Sequence, residues 1–206
     1  MNEYEIVENC TSIESFIKLA KSLGEIISHP NGEIYDVVIA NDGTNAKTGT
    51  FSHKFGFNEF PLHTDTAFWA IPARLLIMWS PVASTTSTTI LPWRDILDSF
   101  SKSDKKIINE AIFLVRTFES TSYRSVKFTS YGETGYRYDP NIMIPANEQG
   151  KKFAELFNKA IQKISLNNFN WSGSNALIIN NWKMLHGRNQ VNNEQESRTI
   201  FRAYVR

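Results

Sequence analysis

In Leu62-His63-Thr64-Asp65-Thr66 an imidazole and a carboxylate stand two residues apart, and that spacing limits how the chain can fold. On a β-strand, residues i and i+2 point to the same face, so His63 and Asp65 can hold one ion together. A third donor must then come from a strand lying beside them. His186, in Met184-Leu185-His186-Gly187-Arg188, is the candidate, although more than half of the chain separates it from Asp65. The fold must therefore bring the ends of distant strands side by side. Two His and one carboxylate leave three positions open on an octahedral ion. A lone His-x-Asp pair suits hydrogen-bonded surface groups equally well, so the surrounding pattern has to decide.

The apolar segments are short and punctuated. Ala73 to Trp79, bounded by Pro72 and Pro81, suits a buried strand better than a helix, and so does Ala176-Leu177-Ile178-Ile179 after the turn at Gly173. Ile34 to Ala40 reads as a strand after the Pro30-Asn31-Gly32 turn, and Ser84 to Ile90, rich in β-branched hydroxyl residues, should be extended. Three helical stripes are expected. Ile13, Phe16, Ile17, Ala20, Leu23 and Ile27 follow a Thr11-to-Glu14 capping box. Ile107 to Phe118 follows a cap at Ser103-Asp104 and should make about four turns. Phe153 to Ile164 follows Asn147. Asn41 to Thr50, with Gly43 and Gly49, reads as a loop at one lip of a site, and 123 to 138 as an aromatic hairpin or lid. His29 and His53 read as ordinary polar histidines. No repeat or linker divides the chain, so residues 1–206 are expected to form a single domain. Short strands whose ends must meet at a site fit a closed antiparallel double sheet: mainly β with flanking α-helices, a jelly roll.

Charge narrows the function. Lys plus Arg number 22 against 21 Asp plus Glu, which gives no general basic excess for nucleic-acid binding. Cys10 stands alone, so no intramolecular disulfide can form. The acidic start Met1-Asn2-Glu3-Tyr4-Glu5 lacks the basic and apolar regions of a secretory signal. These features suggest a reducing cytoplasmic setting and no membrane association.

Three separated blocks, in order, resemble the taurine-dioxygenase and clavaminate-synthase-like group of Fe(II)/2-oxoglutarate-dependent oxygenases. They are Phe60-Pro61-Leu62-His63-Thr64-Asp65 with Pro72 following, Asn180 to Arg188, and Arg198-Thr199-Ile200-Phe201-Arg202. The resemblance runs from about Phe55 to Arg202 and is specific at its two ends. It implies a double-stranded β-helix (cupin-like) fold and a hydroxylase, that is a dioxygenase (oxidoreductase), using Fe(II), 2-oxoglutarate as co-substrate and O2. His63, Asp65 and His186 would be the metal-binding and catalytic set. In family members that halogenate, Gly or Ala replaces the carboxylate, so Asp65 favours hydroxylation, desaturation or ring chemistry.

In the last strand, alternation puts Arg198, Ile200, Arg202 and Tyr204 on one face and Thr199, Phe201, Ala203 and Val205 on the other. The second face is apolar, so the arginine face is either solvent or the interior of a ligand-filled barrel. By resemblance, Arg198, twelve residues after His186, would hold the far carboxylate of 2-oxoglutarate, a bidentate geometry that guanidinium fits. A Gly-Gly-x-Thr motif of the family is replaced by Thr86-Ser87-Thr88-Thr89, which keeps the co-substrate Thr as Thr89 without either glycine. Arg202, on the same face, needs an internal Asp or Glu, or an acidic group brought by the substrate. Asp139 is either a routine Asp-Pro turn initiator or a contact for the substrate's polar end. The stretch between Asp65 and His186 is short for the family, so the pocket would be open or completed by another subunit of a homo-oligomer. Three functions stay open: oxidation of a small carboxylate-bearing molecule such as an amino acid, oxidation of a protein or RNA, and non-catalytic binding of a metal or small ligand by a jelly roll.

Overall fold

Leu75–Trp79 is apolar at every position because both of its faces are covered: Leu75, Ile77 and Trp79 face one core, Leu76 and Met78 another. The computed structural model describes residues 3–28, 32–48, 50–117, 120–191 and 198–206. His29, the Pro30-Asn31 part of the expected turn, Gly49 and Phe118 lie outside the described residues.

The N-terminal part runs β1 (Tyr4–Glu8), α1 (Ile13–Leu23), β2 (Ile26–Ile27), β3 (Asp36–Ile39) and α2 (Phe51–Phe55). Next come β4 (Phe60–His63), β5 (Leu75–Trp79), β6 (Ala83–Pro92), α3 (Trp93–Ser99) and α4 (Ile107–Glu110). Then follow β7 (Ile112–Arg116), β8 (Thr121–Ser125), β9 (Lys127–Ser130), β10 (Glu133–Tyr136), β11 (Met143–Pro145) and α5 (Glu148–Ile161). The chain closes with β12 (Asn167–Ser172), β13 (Asn175–Asn180), β14 (Met184–Arg188) and β15 (Thr199–Val205). No helix is long and apolar enough to cross a membrane among the described residues.

Two antiparallel sheets make the jelly roll. One has the order β1-β13-β5-β15-β2, with β3 also on β15; the other has the order β12-β6-β14-β4. Their inner faces share one core, with Leu76, Met78, Leu177, Ile179, Ile200 and Tyr204 from the first sheet. Ile90, Phe169, Trp171 and Met184 come from the second. The outer face of the first sheet is sealed by α1, whose Phe16 and Ala20 pack on Ile77, Trp79, Ile178 and Ala203. Leu62, Leu91 and Leu185, on the outer face of the second, pack under α3–α5 with Trp93, Phe113, Phe153 and Phe157. Deleting a side chain such as Leu76 or Phe153 would cost about 2–5 kcal/mol in transfer and cavity terms.

Local corrections follow from tertiary context. Ser12, not Thr11, caps α1: its Oγ accepts from Ser15 N–H at 3.2 Å while Ser15 Oγ accepts from Ser12 N–H at 3.0 Å. The helix stops before Ile27 because Gly24 (φ +154°) packs against the C-terminus; a Cβ there would lie 2.6 Å from the Arg206 carbonyl oxygen. The expected four-turn helix from Asp104 ends at Glu110 and becomes β7. Residues 111–115 are apolar almost throughout, which fits either period. Pairing with β8 and β11 settles it, burying Phe113 and Val115 on the same side. The 123–138 region does hold a hairpin, β9–β10, turning through Tyr131 (φ +50°) and Gly132 (φ +77°).

Candidate metal centre

β14 lies between β6 and β4, and this order places the site: His186 is directly opposite His63 on one side and Ile90 on the other. Strand β4 ends at His63, so Asp65 sits in the turn beyond rather than on the strand as the spacing suggested. Asn181 holds it there. Its Oδ1 accepts from Asp65 N–H at 3.0 Å, and its Nδ2 donates to the carbonyls of Asp65 and Ala73, both at 2.9 Å. Thr64 N–H donates to the Tyr138 carbonyl at 2.8 Å, and Thr66 turns the chain with φ +55°.

The three side chains converge. His63 Nε2 is 3.5 Å from Asp65 Oδ1, His186 Nε2 is 3.7 Å from Asp65 Oδ2, and one donor atom from each lies within 4.8 Å of the others. Donors about 2.1 Å from one ion at right angles are about 3 Å apart, so small rotations close this set onto a metal. All three residues are buried. His63 Nδ1 sits 3.0 Å from the Pro61 carbonyl, which fixes its proton there and turns the Nε2 lone pair to the site. Among the described residues His186 Nδ1 has no hydrogen-bond partner. The imidazole–carboxylate donor set suits a first-row metal with open coordination positions.

Charge and burial favour metal-ready protonation states at Asp65 and His186, while at His63 a metal would compete with a proton. Burial alone would raise the Asp65 pKa, but the Arg202 guanidinium and the two imidazoles hold it well below the usual carboxylate range. Burial, reinforced by His63, drops His186 to about 3, so its ring is neutral. For His63 burial acts downward, yet the Asp65 hydrogen bond and charge win and raise it.

A cavity of about 260 Å³ opens over this set, and Arg198 and Arg202 both line it, so the arginine face of β15 is interior. Buried Arg198 donates from Nε to the Thr86 carbonyl at 3.2 Å and from Nη2 to Thr88 Oγ1 at 2.9 Å. Of the two neighbouring threonines it is Thr88, not the expected Thr89, that lines the cavity. Thr88 pairs with Arg188 on the inner face of β6, whereas Thr89 pairs with Gly187 and turns outward with Leu91. A Cβ on Gly187 would come within 2.7 Å of Thr89 Oγ1, which explains the glycine in His-Gly-Arg. Of the two readings of Arg202, the internal partner is what the structure contains. Nη1 donates to Asp65 Oδ2 at 3.1 Å and Oδ1 at 3.3 Å, and Nη2 to Asp36 Oδ2 at 2.6 Å. Asp139 is buried beside the site but does not line the cavity; its Oδ1 accepts from Asn141 N and Nδ2 at 2.8 and 2.9 Å, the turn role. Of the Asn41-to-Thr50 loop expected at one lip, only Asn41 lines the cavity among the described residues; Val38 to Ala40 and Phe51, Ser52, Phe55 and Gly56 line it instead.

Four residues escaped the sequence reading. Asp36 pairs with Arg202 in register across β3–β15, Asn181 anchors Asp65, and Tyr204 OH approaches Asp65 Oδ2 at 3.4 Å. Buried Arg137 donates to the carbonyls of Ala67 (3.3 Å), Trp69 (2.6 Å) and Ala70 (3.0 Å), fixing the loop that follows the metal ligands. Burial lowers its pKa to about 10. Two of them left a signal: Asn181 as part of the Asn180-to-Arg188 block, and Tyr204 as a member of the arginine face of the last strand.

No protein-family model and no curated protein sequence matches the chain. Its fold is shared with solved structures. The PvcB protein from Pseudomonas aeruginosa superposes with a TM-score of 0.73 at 16% identity over 98% of this chain and 75% of its own. An asparagine oxygenase crystallised with Fe(II), 2S,3S-3-hydroxyasparagine and succinate gives 0.72 at 18% identity, over 94% and 65% of the two chains. The non-heme iron oxygenase OrfP, crystallised with Fe and alpha-ketoglutaric acid, gives 0.73 at 16%, over 93% and 63%. The chain thus spans slightly under two thirds of the length of the last two. It has the jelly-roll fold of these Fe/2-oxoglutarate oxygenases.

Proposed function

We propose that this protein is an Fe(II)- and 2-oxoglutarate-dependent dioxygenase that hydroxylates, or otherwise oxidises, a small carboxylate-bearing molecule such as an amino acid. The observation that carries the reading is the buried His63–Asp65–His186 set sharing one cavity with the buried Arg198. Neighbours of the same fold were crystallised with iron and with 2-oxoglutarate, succinate or hydroxylated amino acids, which supports it.

His63 and His186 would offer neutral nitrogens and Asp65 a carboxylate, leaving open positions toward the cavity. Bound there with 2-oxoglutarate, Fe(II) supplies the oxidising chemistry: as CO2 leaves, one atom of O2 ends in succinate and the other in the substrate C–H bond. The chain's own contribution is placement. Arg198, held from behind by Thr86 and Thr88, would bind the co-substrate's far carboxylate, and charge-assisted bidentate pairing gives it direction as well as affinity. Arg202 and Tyr204 orient the Asp65 carboxylate. Apolar walls keep water from the reacting carbon.

On this reading residues 1–206 act as one oxygenase domain, a reducing cytoplasmic compartment suits both Fe(II) and the lone Cys10, and a second subunit would complete the lid; solution mass tests that last point. The central test is succinate formation from 2-oxoglutarate with Fe(II), O2 and a panel of amino acids and small acids. Turnover that vanishes in Asp65→Ala supports the proposal. Metal binding without turnover for any small molecule would favour a non-catalytic binding protein or a macromolecular substrate.

A further inference from the structure

The remaining wall of the cavity defines what else fits. Phe51, Phe55 and Phe60 form an edge-to-face trio with ring centroids 4.8–6.4 Å apart, and Phe60 continues to His63 at 4.7 Å. Phe68 and Trp69 also line the cavity, the latter against Tyr204 at 5.7 Å. Phe51 is exposed and Phe55, Phe60, Phe68 and Trp69 are half-buried, and all five line the cavity, so apolar ring surface is open to an occupant. Trp69 is fixed by Arg137 and Arg124, both of which donate to its carbonyl. These rings are therefore a held surface that an apolar occupant would desolvate.

The charges agree. Among the described residues lining the cavity, three guanidiniums (Arg188, Arg198, Arg202) face one carboxylate, Asp65, which Arg202 already engages. Arg188 donates to the carbonyls of Gly56 and Asn58, and Arg202 is shared between Asp36 and Asp65. An amino acid's own carboxylate offsets its α-ammonium, but a further ammonium or guanidinium on the side chain would find no other carboxylate among the described lining residues, and burying such a cation without a partner is costly.

Resting on the oxygenase reading, we infer that the substrate is a small carboxylic or amino acid whose side chain is aromatic or otherwise apolar. It seats that side chain between the Phe51–Phe55–Phe60 trio and Phe68–Trp69. The wall selects against basic and amide side chains such as those of the hydroxylated arginine and asparagine held in the structural neighbours.

The test separates the two levels. Under anaerobic conditions, Fe(II) and 2-oxoglutarate sharing one site give a visible charge-transfer band, and a substrate seated beside them perturbs it. L-phenylalanine, L-leucine and 3-phenylpropionate should perturb the band at concentrations at least about tenfold below L-arginine or L-asparagine. In Phe51→Ala the band should persist while half-saturation by the aromatic acid rises about tenfold, and Phe51→Leu should recover most of the loss. A normal band with preference for arginine or asparagine, or with no response to any apolar acid, overturns the inference and leaves the oxygenase reading standing. An unchanged response in Phe51→Ala also overturns it. Absence of the band removes both.

Discussion

Replacing Arg198 with Ala removes a guanidinium that is 5% exposed and that donates at 3.2 and 2.9 Å to Thr86 and Thr88. If it is the partner of the co-substrate's far carboxylate, that carboxylate loses its charge-assisted hydrogen bonds inside a buried site. Truncating one member of such a pair costs about 2–5 kcal/mol, which is roughly 30- to 4,000-fold in affinity. Thr88→Val is the finer probe. It keeps the shape and deletes the hydroxyl that receives both Arg198 Nη2 and Trp171 Nε1, at 2.9 and 3.2 Å. Losing one hydrogen bond that orients Arg198 should weaken co-substrate binding by about 1 kcal/mol, or about fivefold. Thr89→Val, on the opposite face, should leave it unchanged. The assay is titration of 2-oxoglutarate into anaerobic Fe(II)-loaded protein, followed by the charge-transfer band. Parent-like affinity in Arg198→Ala, or a larger loss in Thr89→Val than in Thr88→Val, would refute this assignment of the co-substrate wall.

His63→Ala, Asp65→Ala and His186→Ala should each abolish tight metal binding by calorimetry with Co(II) or Fe(II), with circular dichroism near that of the parent. A metal held at 100 times its Kd should stabilise the parent by about 2.7 kcal/mol, a gain removed by chelator and absent in Asp65→Ala; equal melting with and without metal would count against the site. Asn181→Ala should destabilise the fold by about 2–5 kcal/mol in urea, because three buried hydrogen bonds to the Asp65–Ala73 segment are lost together. It should also weaken metal binding through Asp65, and a change below 1 kcal/mol would mean the segment is held otherwise. Arg137→Met should speed hydrogen exchange across residues 64–73, since the carbonyls of Ala67 and Ala70 lose this donor and that of Trp69 keeps only Arg124.

Periodicity and local chemistry were legible wherever one period dominated. The buried strand Leu75–Trp79, the helix that follows Asn147, and the two faces of β15 all follow from the sequence. The pairing of His63-x-Asp65 with His186 was legible through the separated blocks that resemble the oxygenase family, since spacing alone left a surface His-x-Asp pair equally open. Other features depended on partners remote in sequence. Ile112–Arg116 is compatible with helix or strand, and only β8 and β11, hydrogen-bonding on either side, made it a strand. In Thr86-Ser87-Thr88-Thr89 the residue types are nearly equivalent, so the inward one depends on the register of β6 against β14, which a single-residue slip would invert. Arg202 carried a need for a counter-charge that the sequence could state but not satisfy by name. Asp36 became its partner because β3 pairs with β15 in that register, and Asp65 because the turn after β4 ends there. Local sequence fixes which atoms can donate, accept or be buried; which of them meet is decided by strand order and register, set by the packing of the whole chain.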